Sequence, residues 1–182
     1  MRTLFELDKK DYKETDEKYF RPSVRAIIRK DDRFAMVHSR KYDYYKFPGG
    51  GIEGDESYEA ALIREVKEET GLTVNPSSIK EYGTVRRTQK GKAEGIVFVQ
   101  NNYYYFCEVL EGNEGQCLDD YESEEGFTLE YVMSEKVIET NRNADHGEKN
   151  GDDFYQLMIE RDARIMERLI SSIFRNFNEK ST

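Results

Sequence analysis

Short apolar runs recur along the chain and predict the elements in order. Arg21 to Ile28 and Phe34 to His38 are β-like stretches separated by Lys30-Asp31-Asp32-Arg33, which has turn composition, so together they predict a hairpin. Dense β-branched and aromatic residues predict further strands over 80–88, 95–100, 103–110 and 127–133. Ser57 to Thr70 runs without Gly or Pro and stops at Gly71, the pattern of a helix with a glycine just past its end and Asp55, Glu56 and Ser57 as candidate caps. The longest helical pattern is Asp152 to Phe177. Phe154, Leu157, Met158, Ile165, Leu169, Ile170, Ile173, Phe174 and Phe177 share one broad stripe there, with Arg, Glu and Asp opposite. That stripe packs on its own domain or, in the sharper reading, forms a homodimer contact.

Between these elements the text is polar. Arg2 to Tyr19 is charged apart from an island at Leu4, Phe5 and Leu7, and predicts an opening strand or arm. Glu111 to Gly126 is acidic and turn-rich, and Asn141 to Gly151 reads as a mobile polar loop. A length of 182 residues favours one compact domain. The expected division is an arm over 1–19, an α/β domain with a mixed sheet over 20–140, and a loop with a long helix over 141–182.

Charge narrows the choice of partners. With 37 acidic against 28 basic side chains the net charge is -9, which argues against duplex nucleic acid. An anionic small molecule would need a local basic patch or a metal ion. No window approaches the roughly 18 apolar residues of a membrane span, and the first residues carry no apolar targeting core, so a soluble, cytoplasmic chain is expected. Cys107 and Cys117 are expected to be reduced, and neither they nor His38 and His146 show metal-ligand spacing.

The candidate chemistry lies in Gly50 to Leu72. Pro48 followed by Gly49, Gly50 and Gly51 breaks regular structure and lets backbone approach a ligand. On the helix that follows, at about 100° per residue, Glu65, Glu68 and Glu69 share an arc of roughly 100°. Leu62, Ile63 and Val66 adjoin it, and Ala60, Arg64 and Lys67 take the solvent side. Carboxylates at this spacing repel by tenths of a kcal/mol per pair. A hard divalent cation, Mg²⁺ or Mn²⁺, would neutralise them and also help to hold an anion. Three Glu on a helix alone are more often a solvated face.

The complete spacing is more specific. Gly50, Glu56, Arg64, Glu65, Val66, Glu68, Glu69, Gly71 and Leu72 stand at every fixed position of the Nudix box, and the segment resembles the Nudix hydrolase family (MutT-like). The resemblance implies the Nudix fold, a mixed β-sheet sandwiched between helices, and divalent-metal-dependent hydrolysis of a nucleoside diphosphate linked to another group. It implies metal carboxylates at Glu65, Glu68 and Glu69, with the Gly50 carbonyl beside them. Glu56 joins this metal set and, with Arg64, looks like an orienting partner. In many members a Glu from a later loop is the base or a further ligand, which points to Glu125 and then Glu124. The alternative is a nucleotide-binding sensor without turnover, although such modules tend to lose box carboxylates that this chain keeps.

Substrate choice is less legible. Arg86, Arg87, Lys90 and Lys92 form a basic cluster that could meet phosphates, with exposed cations at a hairpin tip as the plainer reading. Arg25, Arg40 and Tyr44 could pair or stack with a base. The subgroup marks for ADP-ribose, diadenosine polyphosphate and NADH substrates are missing downstream of the box.

Overall fold

The computed structural model describes residues 1–112 and 114–179, with side chains described as far as Ser172 in the final helix. In chain order the elements are β1 (Thr3–Asp8), β2 (Glu17–Phe20), β3 (Ser23–Ile27), β4 (Arg29–Lys30), β5 (Arg33–Ser39), β6 (Tyr44–Lys46), α1 (Tyr58–Thr70), β7 (Lys80–Lys90), β8 (Ile96–Phe106), α2 (Asp120–Glu125), β9 (Phe127–Met133), α3 (Ser134–Asn143) and α4 (Asp153–Glu179). β8 is the spine of a mixed five-stranded sheet. It pairs antiparallel with β7 along one edge, and on the other pairs parallel with β2 and then with β3; β1 extends the sheet parallel to β7. In the second sheet β5 is flanked antiparallel by β9 on one side and by β4 and β6 on the other.

Several sequence expectations change here. The hairpin over 21–38 shrinks to the pairing of Arg29 and Lys30 with Phe34 and Arg33, while β3 joins β8 in the other sheet. All five residues of β3 are buried, because β8 covers one edge of the strand and the glycine turn the other. The expected strands over 95–100 and 103–110 are one strand, and Asn101 and Asn102 pass through it in register with Arg86 and Val85. Part of the acidic stretch before Gly126 is α2, closed at its start by a capping box in which the Asp119 side chain accepts from Glu122 N and the Glu122 side chain accepts from Asp119 N. Within 141–151, Asn141 and His146 are buried, and the Asn141 amide exchanges two hydrogen bonds with the Tyr45 backbone.

Two clusters explain the layering. Ala61, Leu62 and Val66 of α1 pack on Val24, Ala26, Ala35 and Tyr105. On the opposite side Ile165, Met166 and Leu169 of α4 pack on Ile27, Phe34, Met36, Val85 and Tyr104. Strand alternation assigns these faces: Val24 and Ala26 face α1, Arg25 and Ile27 face α4. A buried Leu, Ile or Met contributes roughly 1.5–3 kcal/mol, so these helices are clamped on by their apolar stripes. The part of the α4 stripe reaching Ile170 thus packs within this chain; the side chains of Ile173, Phe174 and Phe177 lie outside the described residues. Arg161 and Asp162, expected on the polar side, are instead fully buried beside that stripe. No helix among the described residues is long and apolar enough to cross a membrane.

Candidate active site

The site forms where β6 runs into the glycine turn. Ala26 N donates to Pro48 O at 2.8 Å and Val24 N donates to Gly50 O at 2.9 Å, which sews the turn to β3. A Cβ on Gly50 would overlap the Glu65 carboxylate, and one on Gly49, whose φ is +133°, would run into the Val24 backbone. Position 49 therefore needs glycine, while a side chain at Gly50 would displace the Glu65 carboxylate. α1 begins after the turn, with the Ser57 hydroxyl accepting from Ala60 N at 3.1 Å, and ends at left-handed Gly71. That start and stop fix which face of α1 meets the turn.

Arg64 ties the acidic groups together. Its Nη2 donates to Glu56 Oε1 at 2.7 Å and to Gly51 O at 3.1 Å, while Nη1 donates to Glu65 at 3.0 Å and Glu68 at 2.9 Å. The helical wheel sends Arg64 toward solvent, but its long side chain folds back over the carboxylates. These bonds, the one to Glu56 foremost, raise the guanidinium pKa further and hold the Glu56 carboxyl below its usual range. Glu56 also accepts from Glu53 N at 2.9 Å, so its oxygens are taken up in positioning Arg64 and the turn.

Glu69 is almost completely buried and accepts from Lys46 Nζ at 2.6 Å and Gly49 N at 2.9 Å. Burial, followed by the charge of Glu69, pushes the Glu65 carboxyl above its ordinary pKa, with Arg64 and Arg25 opposing. Glu65, Glu68, Glu69 and the Gly50 carbonyl make an all-oxygen donor set, which suits Mg²⁺ or Mn²⁺. Crowded carboxylates against a Cβ-free turn fit such an ion chemically. Among the described residues, however, no three acidic, His or Cys side chains converge as a ready-made cage. Arg64 lies between Glu65 and Glu68, and Lys46 takes an oxygen of Glu69.

These groups open into a cavity of about 1170 Å³ whose far wall comes from β2, β7, β8, α2 and α4. Of the expected substrate arginines, Arg25 and Arg87 line it and Arg86 and Arg40 do not. Arg86 follows the alternation of β7 to the other face, and Arg40 Nε donates to Thr128 Oγ1 at 3.4 Å. Tyr44 lines the cavity, but its hydroxyl donates to Glu125 at 2.6 Å. Glu125 itself does not line the cavity: Ser39 Oγ donates to the same oxygen at 3.2 Å, and Tyr155 Oη donates to the other at 3.5 Å, with Lys149 Nζ 3.8 Å away. Glu124 is exposed.

One helical turn earlier, Glu122 does line the cavity, 3.9 Å from Lys46 Nζ. Burial first and Glu69 second push its carboxyl up to about 7. Lys46 and Glu122 escaped the sequence reading, although the Asp119-x-x-Glu122 capping box was legible there.

A family model described as "NUDIX domain" matches residues 19–150. An ADP-ribose pyrophosphatase of Methanocaldococcus jannaschii is 32% identical over 117 residues, 61% of this chain and 64% of that protein. An RNA pyrophosphohydrolase of Halorhodospira halophila is 38% identical over 73 residues, covering 40% and 39% of the two chains. The match thus spans less than two thirds of either relative's length. A solved NUDIX hydrolase structure from Nitrosomonas europaea aligns with a TM-score of 0.51 at 19% identity, covering 81% of this chain and 90% of that one, and shares the fold.

Proposed function

Because the chain belongs to the NUDIX domain family, we propose that it is a cytoplasmic pyrophosphohydrolase, cleaving the diphosphate of a nucleoside diphosphate linked to another group with the help of Mg²⁺ or Mn²⁺. The observation that carries this reading is that Glu65, Glu68 and Glu69 line, together with the Gly49–Gly51 turn, one cavity that guanidinium and aromatic groups also line. Glu65, Glu68, Glu69 and the Gly50 carbonyl would hold the ion. Bound there, it supplies Lewis acidity toward phosphoryl oxygens and acidifies a water. Arg64 keeps the carboxylates in place by charge-assisted bonds. Arg25 and Arg87 attract the phosphates, and Tyr19, Phe98 and Phe154 offer ring surface to a base.

In the cleavage step a water oxygen forms a bond to phosphorus as the bridging P–O bond breaks, and the water proton passes to a carboxylate. Glu122 is our choice for that acceptor in place of Glu125, because it faces the same cavity as the box carboxylates. The Glu122→Gln variant is expected to lower kcat by about 10²–10⁴-fold. Gln at this position still serves a capping box, so α2 persists. Glu125→Gln is expected to keep kcat but lose about 1–3 kcal/mol of stability, because it disturbs a buried acceptor of three hydroxyls, those of Ser39, Tyr44 and Tyr155. Release of phosphate-containing products from nucleoside triphosphates, dinucleotides and nucleotide sugars, with Mg²⁺ and with EDTA, tests the activity. Turnover undiminished by EDTA, or full turnover in Glu122→Gln, would overturn the corresponding assignment.

A further inference from the structure

Two buried arginines in the cavity have no acidic partner among the described residues. Arg87 is 1% exposed, its guanidinium rests beside the tilted Phe98–Phe154 ring pair at 5.0 and 4.4 Å from the two centroids, which are 5.1 Å apart, and Nη1 donates to Phe154 O at 3.1 Å. Arg25 is 6% exposed and donates through Nη1 to the carbonyls of Gly49 and Phe47. In both, the buried Nε–H finds no acceptor. The third buried arginine of this wall shows the contrast: Arg161 is fully paired, with two bonds to Asp162 at 2.9 Å and one to Asn102 at 2.7 Å. Burial and the charges of Arg161 and Arg25 push the Arg87 pKa down to about 9, outweighing the opposing charge of Asp162, which is itself bonded to Arg161.

A buried charge of this kind is costly unless something pairs with it. The native fold tolerates two of them, on one cavity wall, each with an unused donor. Strand alternation accounts for the placement, since Arg25 on β3 and Arg87 on β7 both face α4, away from the α1 side of the sheet. Arg25 also acts electrostatically on both Glu65 and Arg87, and it is bonded to the Gly49 carbonyl of the turn beside the acidic group.

We propose that Arg25 and Arg87 form a phosphate subsite, and that the substrate carries a phosphate group beyond the diphosphate that is cleaved. Arg25 serves the phosphate chain near the carboxylates and Arg87 receives its far end, with the Phe98–Phe154 ring pair fixing the position of the Arg87 guanidinium. This deepens the hydrolase reading and rests on it for the word substrate; the anion site itself does not.

The test is therefore made without metal or turnover. In EDTA, inorganic phosphate is expected to raise the melting temperature of the wild-type protein saturably. By calorimetry, a nucleoside triphosphate is expected to bind at least tenfold tighter than the matching diphosphate. In Arg87→Met both the phosphate shift and the triphosphate preference disappear, while the ligand-free melting temperature holds or rises because an uncompensated charge has left the interior. Arg87→Lys, which keeps the charge but not the planar contact with the two rings, retains part of the shift, and Arg33→Met, on an exposed site, retains all of it. Absence of a phosphate shift in the wild type, an equal shift in Arg87→Met, or equal binding of diphosphate and triphosphate would overturn the proposal. Phosphate binding without any hydrolysis in the presence of Mg²⁺ would sink the enzyme reading and leave the subsite standing.

Discussion

Asp162→Asn is expected to cost about 3–5 kcal/mol of folding stability, the range for removing one partner of a buried ion pair. Arg161 and Asp162 are 0% and 1% exposed, and the aspartate accepts two guanidinium bonds together with a 2.8 Å bond from Tyr104 Oη. The neutral amide leaves the guanidinium buried without an anion and offers one acceptor where there were two. Against a total stability of roughly 5–15 kcal/mol, that loss brings the domain near unfolding. Tyr104→Phe removes one hydroxyl and leaves the pair intact, so its cost is expected near about 1 kcal/mol. Urea denaturation of both variants decides this. Equal midpoints for Asp162→Asn and the wild type would mean that the pair does not anchor α4 to β8.

Among the α1 carboxylates a large loss of activity with an intact fold is expected from Glu68→Gln, a fall in kcat of about 10²–10³-fold, corresponding to several kcal/mol of transition-state stabilisation. Glu68 separates function from folding better than its neighbours. Its side chain is 41% exposed, and an amide oxygen can still accept from Arg64 Nη1, so melting temperature should hold while turnover falls. Glu69→Gln would confuse the two, because it strips a carboxylate from buried Lys46. Steady-state kinetics at saturating Mg²⁺, beside a thermal melt, measures both quantities. Wild-type turnover in Glu68→Gln would remove this carboxylate from the mechanism.

The box residues, α1 and the glycine turn were legible in sequence because local signals carry them: fixed spacing, Ser57 before the helix, Gly71 after it. What escaped is set by long-range packing. The β3 segment looks like half of a hairpin because a turn follows it, yet its partner is β8, with each paired residue 79 positions later. Arg86 and Arg87 are neighbours in sequence, and period-two alternation sends only one to the cavity; composition cannot say which. Glu122 and Glu125 stand one helical turn apart, roughly 5 Å along the axis. That distance separates a cavity-facing carboxylate from one held by Tyr44 and Ser39. Arg161 and Asp162 read as surface charges because each is the other's counter-ion, and a sequence shows charge but not pairing.

Mn²⁺ titration, followed by the loss of the free-ion resonance signal, bears most directly on the acidic group. Saturable binding to the wild-type protein, weakened at least tenfold in Glu68→Gln and restored by no substitution outside the box, is expected. No binding, or the same affinity in wild type and Glu68→Gln, would contradict a divalent ion held by the α1 carboxylates.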